Sequence, residues 1–148
     1  QQEDLRTVRE LNLERNEITD AGIKYLTESS VFNQLENLHL ERNMVGDEGA
    51  KLLAGASCLS QLTHLNLWKN KVGDDGVKAL AQSLTLSSLK RLDLAQNQIG
   101  DEGAKALGES MTLTGVEFLE IFGNKLTEEA KEALKKSEAF SKIQDIIV

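Results

Sequence analysis

The chain has 148 residues, of which 28% are charged and 40% hydrophobic, and its formal net charge at pH 7 is −7. Nucleic acids and anionic membranes attract clustered lysine and arginine, so this acidic composition argues against both as partners. Its leucines are spaced and never form a long apolar run, so the sequence predicts no segment that spans a bilayer. Cys58 is the single cysteine, which excludes an internal disulfide and favours a reducing, cytoplasmic compartment.

A short apolar pattern recurs five times in chain order, and each copy contains an asparagine that stands 27 residues after the previous one. The copies are Val8–Leu11–Leu13–Asn16–Ile18, Leu35–Leu38–Leu40–Asn43–Val45, Leu62–Leu65–Leu67–Asn70–Val72, Leu89–Leu92–Leu94–Asn97–Ile99 and Val116–Leu119–Ile121–Asn124–Leu126. Alternation with period two predicts a short strand with one buried face. A buried amide both donates and accepts hydrogen bonds, so the sequence predicts a ladder of buried asparagines where the strands turn away.

A helix start follows each asparagine. Acidic residues typical of an N-cap or of the positive end of a helix dipole come first, at Asp20, Asp47, Asp74, Asp101 and Glu128. Small residues stand two positions later, at Gly22, Gly49, Gly76, Gly103 and Ala130, and they predict a close approach of helix and strand. The same register continues to Ile143, Ile146 and Val148. We therefore predict one α/β domain over residues 1–148, with five full 27-residue repeats and a sixth terminal strand.

The run N-x-(I/V)-(G/T)-D-x-G-x-x-x-L in the first four units resembles the ribonuclease-inhibitor type of leucine-rich repeat. That family also includes the Ran GTPase-activating protein and the sensor regions of some innate-immune receptors. The resemblance implies a leucine-rich-repeat solenoid, a right-handed α/β horseshoe with a parallel concave sheet and convex helices, which binds proteins. The repeat is slightly shorter than is usual in this family, and the fifth unit departs from it at Glu128 and Ala130.

Residues that flank the inward leucines are predicted to point outward from the concave sheet. They form a first row (Glu10, Asn37, His64, Arg91, Phe118, Asp145), a second row (Asn12, His39, Asn66, Asp93, Glu120, Ile147), a third row (Glu14, Glu41, Trp68, Ala95, Phe122) and a rim row (Arg15, Arg42, Lys69, Gln96, Gly123). The only tryptophan, both histidines and two of the four phenylalanines lie in these rows. Packing requires no bulky aromatic residue at a solvated position, so this placement predicts a binding surface.

We therefore predict a non-enzymatic protein-protein interaction module, without cofactor, that binds one protein on the concave face. Its predicted centre is Trp68, His64, Arg91 and His39 with Asn66 and Asp93, and its predicted orienting charges are Glu14, Glu41, Arg42 and Lys69. Phe118 and Phe122 either extend this surface or cover the last strands. The chain is predicted to be a monomer, with a dimer paired through the strand at 143–148 as the alternative.

Two other functions are consistent with the sequence. The first is a GTPase-activating regulator of the Ran activator type, but the loops after the strands carry mixed charge at Glu17, Lys71, Gln98 and Lys125. The second is a fragment of a larger receptor, or of a bacterial effector delivered into a host cell, because the chain begins mid-unit at Gln1.

Metal and catalytic sites are weaker interpretations of the same surface. His39 and His64 lie on neighbouring predicted strands near Glu41 and Asp93, but no spaced ligand motif accompanies them. An exposed sheet also lacks a pocket that excludes water, which argues against acid–base chemistry by His64 and Asp93. Cys58 is predicted to be a structural, half-buried residue.

Overall fold

The computed structural model describes residues 4–148, and within that range six short strands alternate with five α-helices. The strands are β1 (Glu10–Asn12), β2 (Asn37–His39), β3 (His64–Asn66), β4 (Arg91–Asp93), β5 (Phe118–Glu120) and β6 (Asp145–Ile147). The helices are α1 (Asp20–Glu28), α2 (Asp47–Gly55), α3 (Asp74–Ala81), α4 (Asp101–Gly108) and α5 (Glu128–Lys135). The predicted domain starts at residue 1, and its first three residues lie outside the described range.

All six strands belong to one parallel sheet in the order of the sequence. Each residue pairs with the residue 27 positions later, so that Leu11 stands beside Leu38 and Leu38 beside Leu65. The helices pack against one another in the same order. These features confirm the predicted α/β solenoid.

The hydrophobic core lies between the sheet and the helices. The central strand leucines from Leu38 to Leu119 are buried, and Leu53, Leu80, Leu107 and Leu134 are buried from the helix side. In the first unit Leu26 and Phe32 are only partly buried, because within the described residues that unit packs against a neighbour on one side. A core that is shared between adjacent units explains why burial is deepest in the middle of the stack.

The predicted asparagine ladder is present in the middle units. Nδ2 of Asn70 donates to the carbonyl oxygens of Leu40 at 2.9 Å and Leu67 at 3.1 Å, and its Oδ1 accepts from the backbone N–H of Val45 at 2.9 Å. Asn43 and Asn97 make the corresponding bonds to the unit before them and are also buried. Each amide therefore satisfies backbone groups of the preceding turn as well as its own.

The prediction that all five asparagines are buried is wrong at both ends. Asn16 is exposed and its side chain donates only to Glu14, because the described residues contain no earlier asparagine turn for it to contact. Asn124 bonds to Leu94 and Ile99 of the preceding unit but is half-buried. The ladder is thus strongest where each amide has a unit on both sides.

The sequence suggested that the acidic residue at each helix start caps its own helix, but the aspartates that begin α1 to α4 bond to the start of the next helix. Oδ1 of Asp47 in α2 accepts from the backbone N–H groups of Gly73 at 2.7 Å and Gly76 at 2.9 Å, at the start of α3. Asp74 binds Gly100 and Gly103 in the same way. The N-cap positions of α2 to α4 are glycines without a capping side chain, so the carboxylate from the preceding unit satisfies these free N–H groups.

The fifth unit departs from this pattern for a visible reason. Asp101 binds the backbone N–H and the hydroxyl of Thr127, and Thr127 in turn caps α5 by accepting from Ala130. Glu128 forms an ion pair with Lys131 of its own helix at 2.9 Å. A residue with a side chain at 130 is therefore tolerated, because no carboxylate bonds to its backbone.

The same carboxylates explain the small residue at Gly49, Gly76 and Gly103, whereas at Gly22 the atom nearest to an added Cβ is Cγ2 of Ile18, at 2.9 Å. A Cβ atom at Gly76 would lie 2.7 Å from Oδ1 of Asp47, 2.9 Å from Cγ1 of Val72 and 3.0 Å from Cβ of Ala50. The predicted cause, a close approach to the strand, is therefore wrong for these glycines. The space is taken by the neighbouring helix and by the apolar residue of the preceding turn.

We expect Gly76→Ala to lower the free energy of unfolding by about 1–2 kcal/mol. Overpacking of a tight site costs about 1–3 kcal/mol, and the higher helix propensity of alanine offsets up to about 1 kcal/mol of it. Urea unfolding monitored by circular dichroism measures the change. Gly55→Ala at the end of α2 is the matched control, because no atom lies within 4 Å of the position that its Cβ would occupy, and its stability should not fall. Equal losses in the two variants would contradict this explanation.

Candidate functional site

The side of the sheet opposite the helices is open, and we use the name concave face for its three outward rows together with the rim row. Strand pairing places Asn37, His64, Arg91 and Phe118 side by side in the first row, and His39, Asn66, Asp93 and Glu120 in the second. Seven of these side chains surround a hollow of about 130 Å³ over the leucines of the sheet: His39, His64, Asn66, Arg91, Asp93, Phe118 and Glu120. The structure thus brings most of the predicted central residues around one hollow.

Several strands end in a turn in which the side chain of the last strand residue accepts a hydrogen bond from the backbone N–H two residues later. Oδ1 of Asn66 accepts from the backbone N–H of Trp68 at 2.9 Å, and Oδ1 of Asp93 accepts from that of Ala95 at the same distance. Asn12 makes the equivalent bond to Glu14 in the first unit. Asparagine and aspartate therefore both form this side-chain turn at the same position of the repeat.

The residue before each ladder asparagine has a left-handed backbone, with φ of 57° at Arg15, 54° at Arg42, 55° at Lys69 and 54° at Gln96. This conformation is uncommon for residues other than glycine, and only the fifth unit has glycine there. Arg15, Arg42 and Lys69 line a rim groove of about 520 Å³ together with Lys71. Glu14 pairs with Arg15 at 3.2 Å, so the predicted orienting charges Glu14, Arg42 and Lys69 lie at this edge of the concave face.

Trp68 lies half-buried on the concave face rather than projecting freely from it. The guanidinium carbon of Arg42 stands 4.8 Å from the ring centroid, a cation–π contact that covers one face. Nε1 of Trp68 is buried and has no hydrogen-bond partner in the described part of the chain. Ala95, whose register position predicted exposure, is fully buried because it stands between the larger Trp68 and Phe122 in its row.

His39 links two carboxylates across the first strands. Its Nε2 lies 3.2 Å from Oε1 of Glu10, and its Nδ1 lies 3.2 Å from Oε1 of Glu41. The side chain of Glu41 is only 14% exposed, and its second oxygen, Oε2, is buried without a partner. The carboxylates of Glu10 and Glu41, in the first half of the concave face (β1 and β2), therefore contact the same imidazole, which carries a charge only when it is protonated.

In the second half of the concave face (β3 to β6), the charged side chains make different contacts. The guanidinium of Arg91 lies 4.6 Å from the ring centroid of Phe118. Burial lowers the pKa of His64, and the nearby Arg91 and His39 lower it further. Burial raises the pKa of the Asp93 carboxyl to about 6, an effect that Glu120 and Glu41 reinforce and that the Ala95 N–H and Arg91 oppose.

We expect Asp93→Asn to stabilise the fold at pH 8 by about 1–2 kcal/mol, a value reduced from the full pKa difference because the side chain is partly solvated. The pKa of Asp93 is higher in the folded chain than in the unfolded chain, so the ionised carboxylate opposes folding above pH 6. The advantage of asparagine should shrink as the pH falls from 6 towards 3.8 and vanish below that. Urea midpoints of both proteins across this range measure it, and a constant difference at every pH would contradict the assignment to Asp93.

Glu120 and the contact between Arg42 and Trp68 were not singled out from the sequence. Glu120 stands 27 residues after Asp93 in the second row, and this register could have identified it as a residue of the site.

Cys58 is buried, its Sγ donates to the carbonyl of Thr27 at 3.6 Å, and burial raises the pKa of the thiol. At the far end, Phe122 is half-buried and Ile147 is 42% exposed.

Two features are absent from residues 4–148. No three His, Cys, Asp or Glu side chains in this range are grouped so that they could hold a metal ion. No helix in it has the length and apolarity needed to cross a membrane.

A family model described as a leucine-rich repeat matches residues 4–26, 33–54, 58–81 and 85–108, which make up more than half of the chain. No curated protein matches the sequence. Among solved structures, an internalin from Listeria monocytogenes is 27% identical, with a TM-score of 0.47 over 82% of this chain and 36% of its own. The leucine-rich-repeat ectodomain of the receptor kinase SOBIR1 from Arabidopsis thaliana is 22% identical, with a TM-score of 0.37 over 66% of this chain and 49% of its own.

The chain thus spans about a third of the length of the internalin and about half of that of the ectodomain. The segments that the family model matches carry the recurrent strands and the asparagine ladder of the first four units. On this evidence the chain belongs to the leucine-rich repeat family.

Proposed function

We propose that this chain is a non-enzymatic module that holds a protein partner on its concave face. Leucine-rich repeat proteins are in general protein-interaction modules. The observation that carries the proposal is the composition of the open sheet: the only tryptophan, both histidines and two phenylalanines lie on it. Aromatic residues and arginine are enriched at the energetic centres of protein interfaces.

The proposed centre of the interface is Trp68, His64, Arg91 and His39, with Asn66 and Asp93 beside them. These side chains stand on strands whose backbone is held by the ladder, so little conformational entropy is lost when a partner binds. The charges at Glu14, Glu41, Arg42 and Lys69 set the orientation, because charges at the border of an interface steer encounter and register. Phe118 and Phe122 extend the surface towards its apolar end.

We also propose that the repeats are of the ribonuclease-inhibitor type and that the protein acts in the cytoplasm. The first part is supported by a helix of eight or nine residues in each of the five units. The second is supported by the single, buried thiol of Cys58, which suits a reducing compartment.

Hydroxyl-radical footprinting tests the proposal once a partner has been captured with the wild-type chain. Oxidation of Trp68, His64 and Phe118 should fall in the complex. Tyr25, which is 78% exposed on α1, and Met111, which is 88% exposed beyond α4, are internal controls whose oxidation should stay unchanged. Protection of Tyr25 or Met111 with no protection of Trp68 would place the partner on another surface and overturn the proposal.

A further inference from the structure

We infer that the protein partner presents a lysine or arginine side chain to the concave face, at the hollow where the carboxylates of Asp93 and Glu120 have no cation of their own. The inference rests on the proposed function, because it names the chemistry of the partner that the concave face would hold. It is carried by the distribution of charge on the sheet, by the shape of the hollow and by the identity of the residue at position 93.

The outward rows are strongly acidic. They carry six carboxylates against the single permanent cation of Arg91: Glu10, Glu14, Glu41, Asp93, Glu120 and Asp145. In the first half, Glu10 and Glu41 face His39, and Glu14 pairs with Arg15. Within residues 4–148, no basic nitrogen lies within 4 Å of a carboxylate oxygen of Asp93, Glu120 or Asp145. The three carboxylates of the outward rows that contact no basic side chain therefore all lie in the second half.

Arg91 acts on the charge of Asp93 through space and lowers its pKa, but its guanidinium stacks on Phe118 and forms no ion pair with Asp93 or Glu120. The hollow of about 130 Å³ beside it is lined by Asp93, Glu120, His64 and Asn66. The hollow is wide enough for an ammonium or guanidinium group with its last methylenes.

Position 93 shows that the charge is not needed by the fold. Asn12 and Asn66 make the same side-chain turn from the same register position without a charge. The chain nevertheless has an aspartate at 93, where burial and the carboxylates of Glu120 and Glu41 oppose its ionised form. A cation supplied by a partner would compensate a carboxylate that pairs with no cation among residues 4–148.

The experiment is a titration of the ¹⁵N-labelled chain with a blocked tri-arginine peptide, followed by NMR in buffer with enough salt to screen distant charges. We expect saturable shifts at the Ala95 amide and at the indole N–H of Trp68. Asp93→Asn should weaken this binding at least fivefold. Asp75→Asn, which removes the same charge from an exposed site on α3, should change it less than twofold.

A blocked tri-citrulline peptide, which has the same shape without the charge, should cause no saturable shift. The inference is overturned if tri-citrulline binds equally, if Asp93→Asn binds tri-arginine as well as the wild type, or if a blocked tri-glutamate peptide binds the concave face instead. Each of these results leaves the proposed function standing, since the footprint at Trp68 is measured separately with the captured partner. If the captured partner does not protect Trp68 from oxidation, both the inference and the proposed function are overturned.

Discussion

Replacement of Asn70 by leucine should lower the free energy of unfolding by about 3–5 kcal/mol, because several buried backbone groups depend on this one amide. The amide of Asn70 donates to Leu40, Leu67 and Trp68 and accepts from Val45. Leucine has a similar volume but no polar atom, so the buried N–H of Val45 would lose its acceptor. The carbonyls of Leu40 and Leu67 would each lose one side-chain donor and keep another, from Asn43 and Asn97. A buried group left unpaired costs about 1–3 kcal/mol, and each further hydrogen bond that is lost costs about 0.5–1.5 kcal/mol.

The matched control is Asn16→Leu. Asn16 occupies the same place in the first unit, but it is exposed and its side chain donates only to the carbonyl of Glu14. Its substitution should cost less than about 1 kcal/mol, because the freed carbonyl remains accessible to water. Urea unfolding of the two variants measures the contrast. An unchanged midpoint for Asn70→Leu, or the same loss in both variants, would show that the ladder does not stabilise the middle units.

The strands, their register and the ladder could be predicted because the repeat length is constant. Once Leu38 and Leu65 are 27 residues apart in every frame, stacking the units places them beside each other. The same spacing places His64 next to Arg91 and Asn66 next to Asp93, so the predicted rows of the concave face are the rows of the sheet. Periodicity specifies which positions are neighbours.

Periodicity does not specify in which direction a side chain bonds between units. Asp47 begins α2, and its sequence position suggested a cap for that helix, whereas its carboxylate satisfies the N–H groups at the start of α3. The distances between adjacent helix starts, which decide this choice, depend on how the units stack. The same holds for the end units, where Asn16 is exposed because stacking, and not the motif, buries the amides of the ladder.

The sequence predicted which residues lie on the concave face, but not which contacts their side chains make with one another. The sequence placed Arg42, Trp68 and Ala95 near one another. It did not indicate that Arg42 covers the indole ring or that Ala95 is buried between Trp68 and Phe122. Nor did it indicate that His39 contacts Glu41 while no basic side chain of residues 4–148 pairs with Asp93. Both carboxylates lie near a histidine in the predicted rows, so the rows alone do not distinguish them.

Replacement of Trp68 by alanine should weaken binding of the partner by about 2 kcal/mol or more, which is roughly a thirtyfold increase in Kd. The indole presents a large apolar surface, is held in place under Arg42, and has an Nε1–H that is buried without an acceptor. A partner would bury the rest of the ring. Because Trp68 lies on the open side of the sheet, we expect the variant to remain folded, which its circular dichroism spectrum and urea midpoint check.

The measurement that tests the central claim most directly is a calorimetric titration of the captured partner with three proteins: the wild type, Trp68→Ala and Tyr25→Ala. Tyr25 is the matched aromatic on the opposite side, 78% exposed on α1. If the concave face is the interface, the affinity should fall about thirtyfold or more for Trp68→Ala and stay within about twofold of the wild type for Tyr25→Ala. If Tyr25→Ala abolishes binding while Trp68→Ala retains it, the partner is held by the helices, and the assignment of the concave face is wrong.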